Sequence, residues 1–318
     1  MKREVCLITG VAGFIGSNLA DALVKKGYFV RGIDSFEKNY EEALKRNNIK
    51  HLLKKNNFSF SEENLLKVDL EEQLDGVEYI FHQAGQPGVR SSWGKEFKIY
   101  LENNVWATQK LLESVKGKRI KKMIFASSSS VYGNAERFPT TEKNLPYPIS
   151  PYGVTKLAAE QLCLLYWKNY QVPVVALRYF TVYGPRQRPD LFFHKLIKAA
   201  LCGGTIEIYG DGKQTRSYTY IDDVVDANIL AMGMDVTGQV MNIGGGARVS
   251  VNEAIELVEK ISGRSIKKSY VDPKKGDVKH TCASIKKARA MLGYYPKTRI
   301  KKGLLSQFEW MKKNISQI

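Results

Sequence analysis

Two residues four apart, Tyr152 and Lys156, carry the first chemical signal in this 318-residue chain. They lie in Ser150-Pro151-Tyr152-Gly153-Val154-Thr155-Lys156. Ser150 suits a helix cap and Pro151 the first turn. An i,i+4 pair then shares one helix face. A phenol with a pKa of about 10 is a poor base at neutral pH, but a neighbouring ammonium favours the phenolate. Tyr152 so assisted can take a hydroxyl proton while hydride leaves the same carbon. Just upstream, Phe125-Ala126-Ser127-Ser128-Ser129-Ser130-Val131-Tyr132-Gly133 follows an apolar run. A serine at that strand end can orient a substrate oxygen. Strand alternation turns two of the four serines away.

Hydride needs an acceptor, and the N-terminal region supplies a place for one. Thr9-Gly10-Val11-Ala12-Gly13-Phe14-Ile15-Gly16 joins an apolar strand to a helical pattern. The first glycine permits a tight turn. The second lets backbone amides approach a pyrophosphate at the helix N-terminus, and the third permits close helix–strand packing. A second strand ends in Ile33-Asp34, which places Asp34 to accept hydrogen bonds from a ribose. A carboxylate there repels a 2′-phosphate, so NAD is expected rather than NADP. A positive nicotinamide beside Tyr152 adds to the pull on its phenol.

These residues require elements that hold them. Short β-rich runs at 4–9, 28–33, 64–68, 77–82, 121–127 and 173–179 alternate with helical patterns near 14–26, 96–116 and 152–170. Such alternation predicts an α/β protein, a Rossmann-type doubly wound parallel sheet. From about residue 184 the grain changes. Gly184-Pro185 breaks the chain, and turns recur at Gly203-Gly204, Gly210-Asp211-Gly212 and Gly244-Gly245-Gly246. A cofactor domain over 1–183 and a smaller α/β substrate lobe over 184–318 are expected, with 220–245 returning to the main sheet.

Bulk properties narrow the classes. The formal charge is +17, from 49 basic and 32 acidic residues. The lysines fall in scattered pairs such as Lys25-Lys26 and Lys301-Lys302, with no nucleic-acid fold signature. They read as a solvated surface that also attracts anionic substrates. Cys6, Cys163, Cys202 and Cys282 lie far apart, which argues against zinc and against a disulfide frame. Cys6 and Cys163 fit core positions. No cationic-then-apolar leader precedes the first strand, and no apolar run nears a span of roughly 20 residues. A soluble, cytoplasmic protein binding neither membrane nor nucleic acid is expected, with no metal.

The Gly10-x-x-Gly13-x-x-Gly16 spacing, the serine-rich strand end and the Tyr152–Lys156 pair together resemble the extended short-chain dehydrogenase/reductases. More narrowly, the chain is similar to their NAD-dependent nucleotide-sugar epimerase/dehydratase branch from Met1 to about Trp310. Gln86-Pro87-Gly88-Val89-Arg90-Ser91-Ser92-Trp93, the stretch Ser127 to Asn134 and the stretch Arg178 to Asp190 resemble bacterial UDP-glucuronate 4-epimerases. That resemblance implies Ser128, Tyr152 and Lys156 as the catalytic set. It implies adenine contacts at Asp69 and Leu70, and cofactor contacts at Gln83, Ala84, Gly85 and Asn103 beside Gly10, Gly13, Phe14, Ile15, Gly16 and Asp34. Substrate contacts are implied at Pro87, Arg90, Thr181, Arg188, Tyr209, Arg216 and Asp277, with Ser128, Ser129 and Ser130 near a sugar carboxylate. The family's arginine just before the Gly-Asp pair is Lys274 here, and its pocket-gating position aligns with the small Thr281. A homodimer through the 96–116 and 152–170 helices is also implied.

The expected activity is C4 epimerisation of UDP-glucuronate to UDP-galacturonate through a 4-keto sugar. Oxidation at C4 creates a β-keto acid, so the carboxylate has to be held out of line with the carbonyl π system, by hydroxyls of Ser128–Ser130 or by a nearby arginine. Decarboxylases and dehydratases of the branch place an acid just before Val-Tyr-Gly, where this chain has Ser130. Epimerisation of a neutral or N-acetylated UDP-sugar and decarboxylation of UDP-glucuronate are the alternatives. A non-catalytic NAD-binding or nucleic-acid protein is disfavoured by the intact Ser128, Tyr152 and Lys156.

Overall fold

The computed structural model describes residues 3–315, so the expected outer boundaries at 1 and 318 lie outside the described residues. The strands are β1 (Val5–Thr9), β2 (Phe29–Asp34), β3 (Phe58–Glu62), β4 (Tyr79–His82), β5 (Lys122–Ser128) and β6 (Val174–Tyr179). They continue with β7 (Val182–Tyr183), β8 (Thr205–Tyr209), β9 (Thr215–Tyr220), β10 (Val240–Ile243), β11 (Ala247–Ser250) and β12 (Lys267–Val271). Helices α1 (Phe14–Lys25), α2 (Glu42–Ile49), α3 (Leu70–Leu74), α4 (Phe97–Tyr100), α5 (Ala107–Val115) and α6 (Pro151–Tyr170) belong to the first half. α7 (Phe192–Cys202) and α8 (Ile221–Gly233) follow.

Seven strands form one sheet in the order β10-β6-β5-β4-β1-β2-β3, and every pairing in it is parallel. The chain reverses its direction of winding between β1 and β4. A crevice therefore opens at their carboxyl ends, the place where such sheets bind ligands. β5 and β6 are buried along their whole length, as expected for parallel strands covered on both faces. On one face Leu7, Ile80, Met123 and Phe125 pack with Leu111 and Leu112 of α5 and Cys163 of α6. On the other, Cys6, Ile8, Ile124 and Val175 pack with Leu19 and Leu23 of α1 and Val224 of α8. The same strands thus feed two cores by simple alternation. Outside this sheet, β11-β9-β7 and β12-β8 form two small sheets. β10, which follows α8, pairs with β6 at the edge of the main sheet.

The strand expected at 64–68 is displaced. β3 is Phe58–Glu62, the alternating Phe-Ser-Phe-Ser-Glu run, and 64–68 is a turn. The Asn64 side chain accepts from the Leu66 amide (2.8 Å), and the Asn64 carbonyl accepts from the amides of Lys67 and Val68. Leu65 and Val68 are buried in this turn, which accounts for the apolar run that resembled a strand. The 96–116 pattern is helical but not uniform, since Leu101–Trp106 winds as a π-helix between α4 and α5.

Candidate active site

The turn after β1 is sterically closed to any larger residue at Gly10 and at Gly16. Gly10 has φ +71, and a Cβ on it would lie 2.7 Å from the Ala84 nitrogen. A Cβ on Gly16 would lie 2.1 Å from the Gly10 carbonyl oxygen. α1 therefore begins hard against the turn, with Gly13 as its cap and no acidic residue in its first turn. Its free amides and positive end face the crevice, a fit for a pyrophosphate. At the end of β2, Asp34 Oδ2 accepts from the Ala12 amide (3.0 Å) and Oδ1 from the Phe36 amide (2.9 Å). Burial raises the Asp34 pKa, while those two amides and the Lys45 ammonium oppose the rise.

One cleft gathers Gly10, Gly13, Phe14, Ile15, Gly16 and Asp34 on one wall. Gln83, Ala84, Gly85, Pro87, Asn103, Tyr152, Lys156 and Arg188 close the other side. Asp69 and Leu70 do not reach it. Asp69 caps α3, accepting from the amides of Glu71 and Glu72, and Leu70 is in the core. Glu63, Asn64 and Leu65 line the cleft instead, because the strand that leads there ends at Glu62, not at 68 as the sequence pattern suggested.

Tyr152 and Lys156 sit in the first turns of α6. Ser150 caps this helix by accepting from the Gly153 amide (3.1 Å), and Pro151 begins it. Burial raises the Tyr152 pKa, while hydrogen bonding by Ser128 and the Arg188 charge pull it down. Burial lowers Lys156 to about 8, and its ammonium lies 4.5 Å from the centroid of the Phe125 ring. Alternation divides only the two serines on β5, Ser127 and Ser128, and not all four as the pattern suggested. Ser127 turns inward and donates to Glu160 Oε2 (2.6 Å), whose carboxylate also takes a bidentate pair from Arg178 (2.9 and 2.6 Å). Ser128 faces Tyr152 and accepts from the Ser130 amide (3.1 Å). Ser129 and Ser130 open the short 3-10 turn that follows.

A second group bridges the main sheet to the smaller ones. Arg90 makes a forked ion pair with Asp277, 2.6 Å at its shortest, and its guanidinium lies 3.8 Å from the centroid of the Tyr209 ring. Lys274 stands farther out, 5.9 Å from the same ring. Arg216 donates to the carbonyls of Thr215 and Lys279 (3.0 and 3.1 Å), and burial lowers its pKa. Thr281 Oγ1 accepts from the Ser217 amide (3.0 Å). Thr181, between β6 and β7, accepts from the Thr219 amide (2.9 Å) through its carbonyl. Arg188 pairs with Asp190 (2.8 Å) at the cleft itself.

Residues absent from the sequence reading complete the cleft. Lys45 on α2 donates to Asn39 Oδ1 (2.6 Å) and to the Glu37 carbonyl. Tyr40 also lines the cleft, with its hydroxyl buried and unpartnered. Asn104 Oδ1 accepts from the Gln86 amide (2.6 Å), while Nδ2 donates to the Gln86 carbonyl (3.1 Å) and Thr155 Oγ1 (3.0 Å). Two adjacent asparagines inside a helical pattern were the available signal, since asparagine is a weak helix former. Among the described residues, no group of three or more His, Cys, Asp or Glu is arranged to hold a metal.

Comparison with known proteins adds the relatives of this arrangement. The NAD dependent epimerase/dehydratase family matches residues 6–244. An uncharacterized UDP-glucose epimerase of Bacillus subtilis, YtcB, is 45% identical, over 96% of this chain and 97% of that protein. A UDP-glucuronate 4-epimerase of Thermodesulfobacterium geofontis is 36% identical, over 98% of this chain and 97% of that protein. The solved structure of a UDP-glucuronic acid 4-epimerase from Bacillus cereus, in complex with UDP-glucuronic acid and NAD, is 45% identical. It matches with a TM-score of 0.95 over 97% of this chain and 99% of that one.

Proposed function

Because the chain belongs to the NAD dependent epimerase/dehydratase family, we propose that it is a UDP-glucuronate 4-epimerase, interconverting UDP-glucuronate and UDP-galacturonate. The observation that carries this reading is one cleft holding Tyr152, Lys156 and the Arg188 guanidinium, with the serine turn at Ser128 alongside. The glycine turn, the open start of α1 and Asp34 fit NAD, and the Asp34 carboxylate opposes a 2′-phosphate. Bound NAD⁺ supplies the hydride acceptor. Tyr152 takes the proton from the sugar O4, Ser128 holds that oxygen, and Lys156 stabilises the phenolate. The 4-keto sugar would then turn over to present its opposite face, and Tyr152 would return the proton to O4 as C4 is reduced on that face. Arg188 and the hydroxyls of Ser128, Ser129 and Ser130 restrain the carboxylate, so that the β-keto acid keeps its CO₂. Pro87, Arg90, Thr181, Tyr209, Arg216 and Asp277 are assigned to the UDP-sugar, with the lobe at 184–318 serving it and 1–183 with 220–245 serving the cofactor.

The test is incubation of purified protein with UDP-glucuronate and resolution of the nucleotide-sugars. UDP-galacturonate at equilibrium is expected, and its absence refutes the assignment. A second reading, 4-epimerisation of UDP-glucose or UDP-N-acetylglucosamine, draws on the small Thr281 and on the likeness to the Bacillus subtilis UDP-glucose epimerase YtcB, itself uncharacterized. Turnover of those sugars in preference to UDP-glucuronate would favour it. Decarboxylation has less support, because Ser130 stands where an acid would be needed and Glu160 is engaged by Ser127 and Arg178. A homodimer belongs to the same proposal. Exposed Leu101, Trp106 and Leu165 on the helical segment and α6 support it, and sedimentation equilibrium checks it. Cytoplasmic location is also proposed; no described helix is long and apolar enough to cross a membrane, and cell fractionation tests it.

A further inference from the structure

His82 ends β4, is fully buried, and has no part in the chemistry above. Its two ring nitrogens are both engaged, Nδ1 with Thr9 Oγ1 (2.7 Å) and Nε2 with Thr108 Oγ1 (2.9 Å). The direction of every bond follows from what the partners can do. Thr108 Oγ1 lies 2.6 Å from the Asn104 carbonyl, which can only accept, so the threonine proton points there. Nε2 must then carry the ring proton, and Nδ1 must accept from Thr9. Thr9 Oγ1 in turn accepts from the Ala84 amide (3.3 Å). Burial, reinforced by the Lys156 charge, holds the ring's pKa down at about 3, so this single tautomer persists across the working range.

The chain of bonds does not stop at Asn104. The Asn104 side chain clasps both backbone groups of Gln86 and donates to Thr155 Oγ1 (3.0 Å). Thr155 Oγ1 donates to the Tyr152 carbonyl (2.9 Å). Thr9, His82, Asn104, Thr108 and Thr155 are all buried, where a misdirected polar group is costly and rearrangement is opposed. The π-helix at Leu101–Trp106 contains Asn104, and such local departures are held in place by surrounding contacts.

We infer that His82 is a positioning residue of the active site. As a neutral imidazole with its proton on Nε2, it joins the strand end beneath the glycine turn to the π-helical turn. Through Asn104 and Thr155 it sets the backbone of Tyr152, and through Thr9 it sets the Ala84 wall of the cofactor cleft.

Substitutions at His82 test the two arms separately. The amide nitrogen of Gln falls where Nε2 sits, so His82→Gln keeps the bond to Thr108. The amide oxygen of Asn falls where Nδ1 sits, so His82→Asn keeps only the bond to Thr9. His82→Phe keeps neither, and Thr108→Val removes the Tyr152 arm without touching the ring. For NAD-loaded, folded protein, His82→Phe, His82→Asn and Thr108→Val are expected to lower kcat by about 100-fold, the scale of a misplacement of about 1 Å. KM should stay within about threefold, since ground-state sugar binding is not involved. His82→Gln should recover at least about a tenth of the wild-type kcat. A purely structural role would lower the melting temperature of His82→Gln and His82→Asn alike without separating their kcat values. Equal losses in the Gln and Asn variants, or folded Phe and Val variants within about threefold of wild type in kcat, overturn the inference.

The inference rests on hydride chemistry at Tyr152, not on the identity of the sugar. Wild-type protein idle on UDP-glucuronate but active on another UDP-sugar refutes the substrate reading alone, and the variants are then compared on that sugar. NAD release measured without any sugar gives a further reading. It should be faster in His82→Phe than in Thr108→Val, because only the former loses the Thr9 and Ala84 arm; equal rates contradict that arm.

Discussion

Lys156 is buried in the cleft at a cost to the fold. Its pKa falls from 10.5 to about 8 on burial, equivalent to about 3 kcal/mol at about 1.4 kcal/mol for each unit of pKa. Below about pH 8 the lysine is charged in both folded and unfolded chains, and the folded state bears the full cost. Between about 8 and 10.5 only the unfolded chain keeps the proton, so stability rises with pH through that window. Lys156→Met should therefore be more stable than the NAD-free wild type by up to about 3 kcal/mol in urea unfolding at pH 7. That advantage should shrink from about pH 8 upward and be gone above 10.5, and the variant should be inactive. Tyr152→Phe should lower kcat by about 1000-fold, the weight of a positioned acid–base group, while NAD content measured after purification stays unchanged. The placement of both residues in one cleft was legible in the sequence because the pair is local, four residues apart on one helix. His82 was not legible. Its partners Thr9 and Thr108 lie 73 and 26 residues away, and nothing in a lone histidine after an apolar run reports which hydroxyls will meet it.

Elements position these residues through their ends. The start of α6 rests on the Ser150 cap two residues from Tyr152. Ser150→Ala should cost about 1 kcal/mol of stability and lower kcat, with NAD binding retained, as chemical denaturation and steady-state kinetics would show. The glycine turn is less forgiving. Gly16→Ala would force a Cβ to 2.1 Å from the Gly10 oxygen, so a loss of at least about 2 kcal/mol is expected, together with loss of copurified NAD. Helix α1 and strands β1, β2, β4, β5 and β6 were readable because their apolar spacing and terminal residues agree. β3 was misread because its Phe-Ser-Phe-Ser-Glu run is more polar than the Leu65-Leu66-Lys67-Val68 turn beyond it. A turn that buries leucine imitates a strand in any pattern of hydrophobicity. The π-helix was equally invisible, since one extra residue in a turn barely alters a helical repeat.

At the scale of the whole molecule, the surplus of 49 basic over 32 acidic residues sets how an anionic substrate arrives. A nucleotide-sugar carrying a diphosphate and a carboxylate is drawn to such a surface, and dissolved salt weakens the pull over a Debye length of about 8 Å near physiological ionic strength. KM for UDP-glucuronate should rise several-fold between roughly 0.05 and 0.5 M NaCl, with kcat little changed, because the chemistry lies inside the cleft. A KM independent of salt would show that the scattered lysines do not assist capture.

The edge strand β10 carries a consequence for how the protein is made. β6 finishes at Tyr179, but its partner β10 begins only at Val240. While the intervening residues are being translated, the apolar hydrogen-bonding edge of β6 has no neighbour. At synthesis rates of about 5–20 residues per second, that interval lasts roughly 3 to 12 s. A nascent chain halted there presents a template for unwanted strand pairing between copies. Chains truncated near residue 183 are for the same reason expected to aggregate, whereas those reaching past Ile243 have every strand of the sheet in hand.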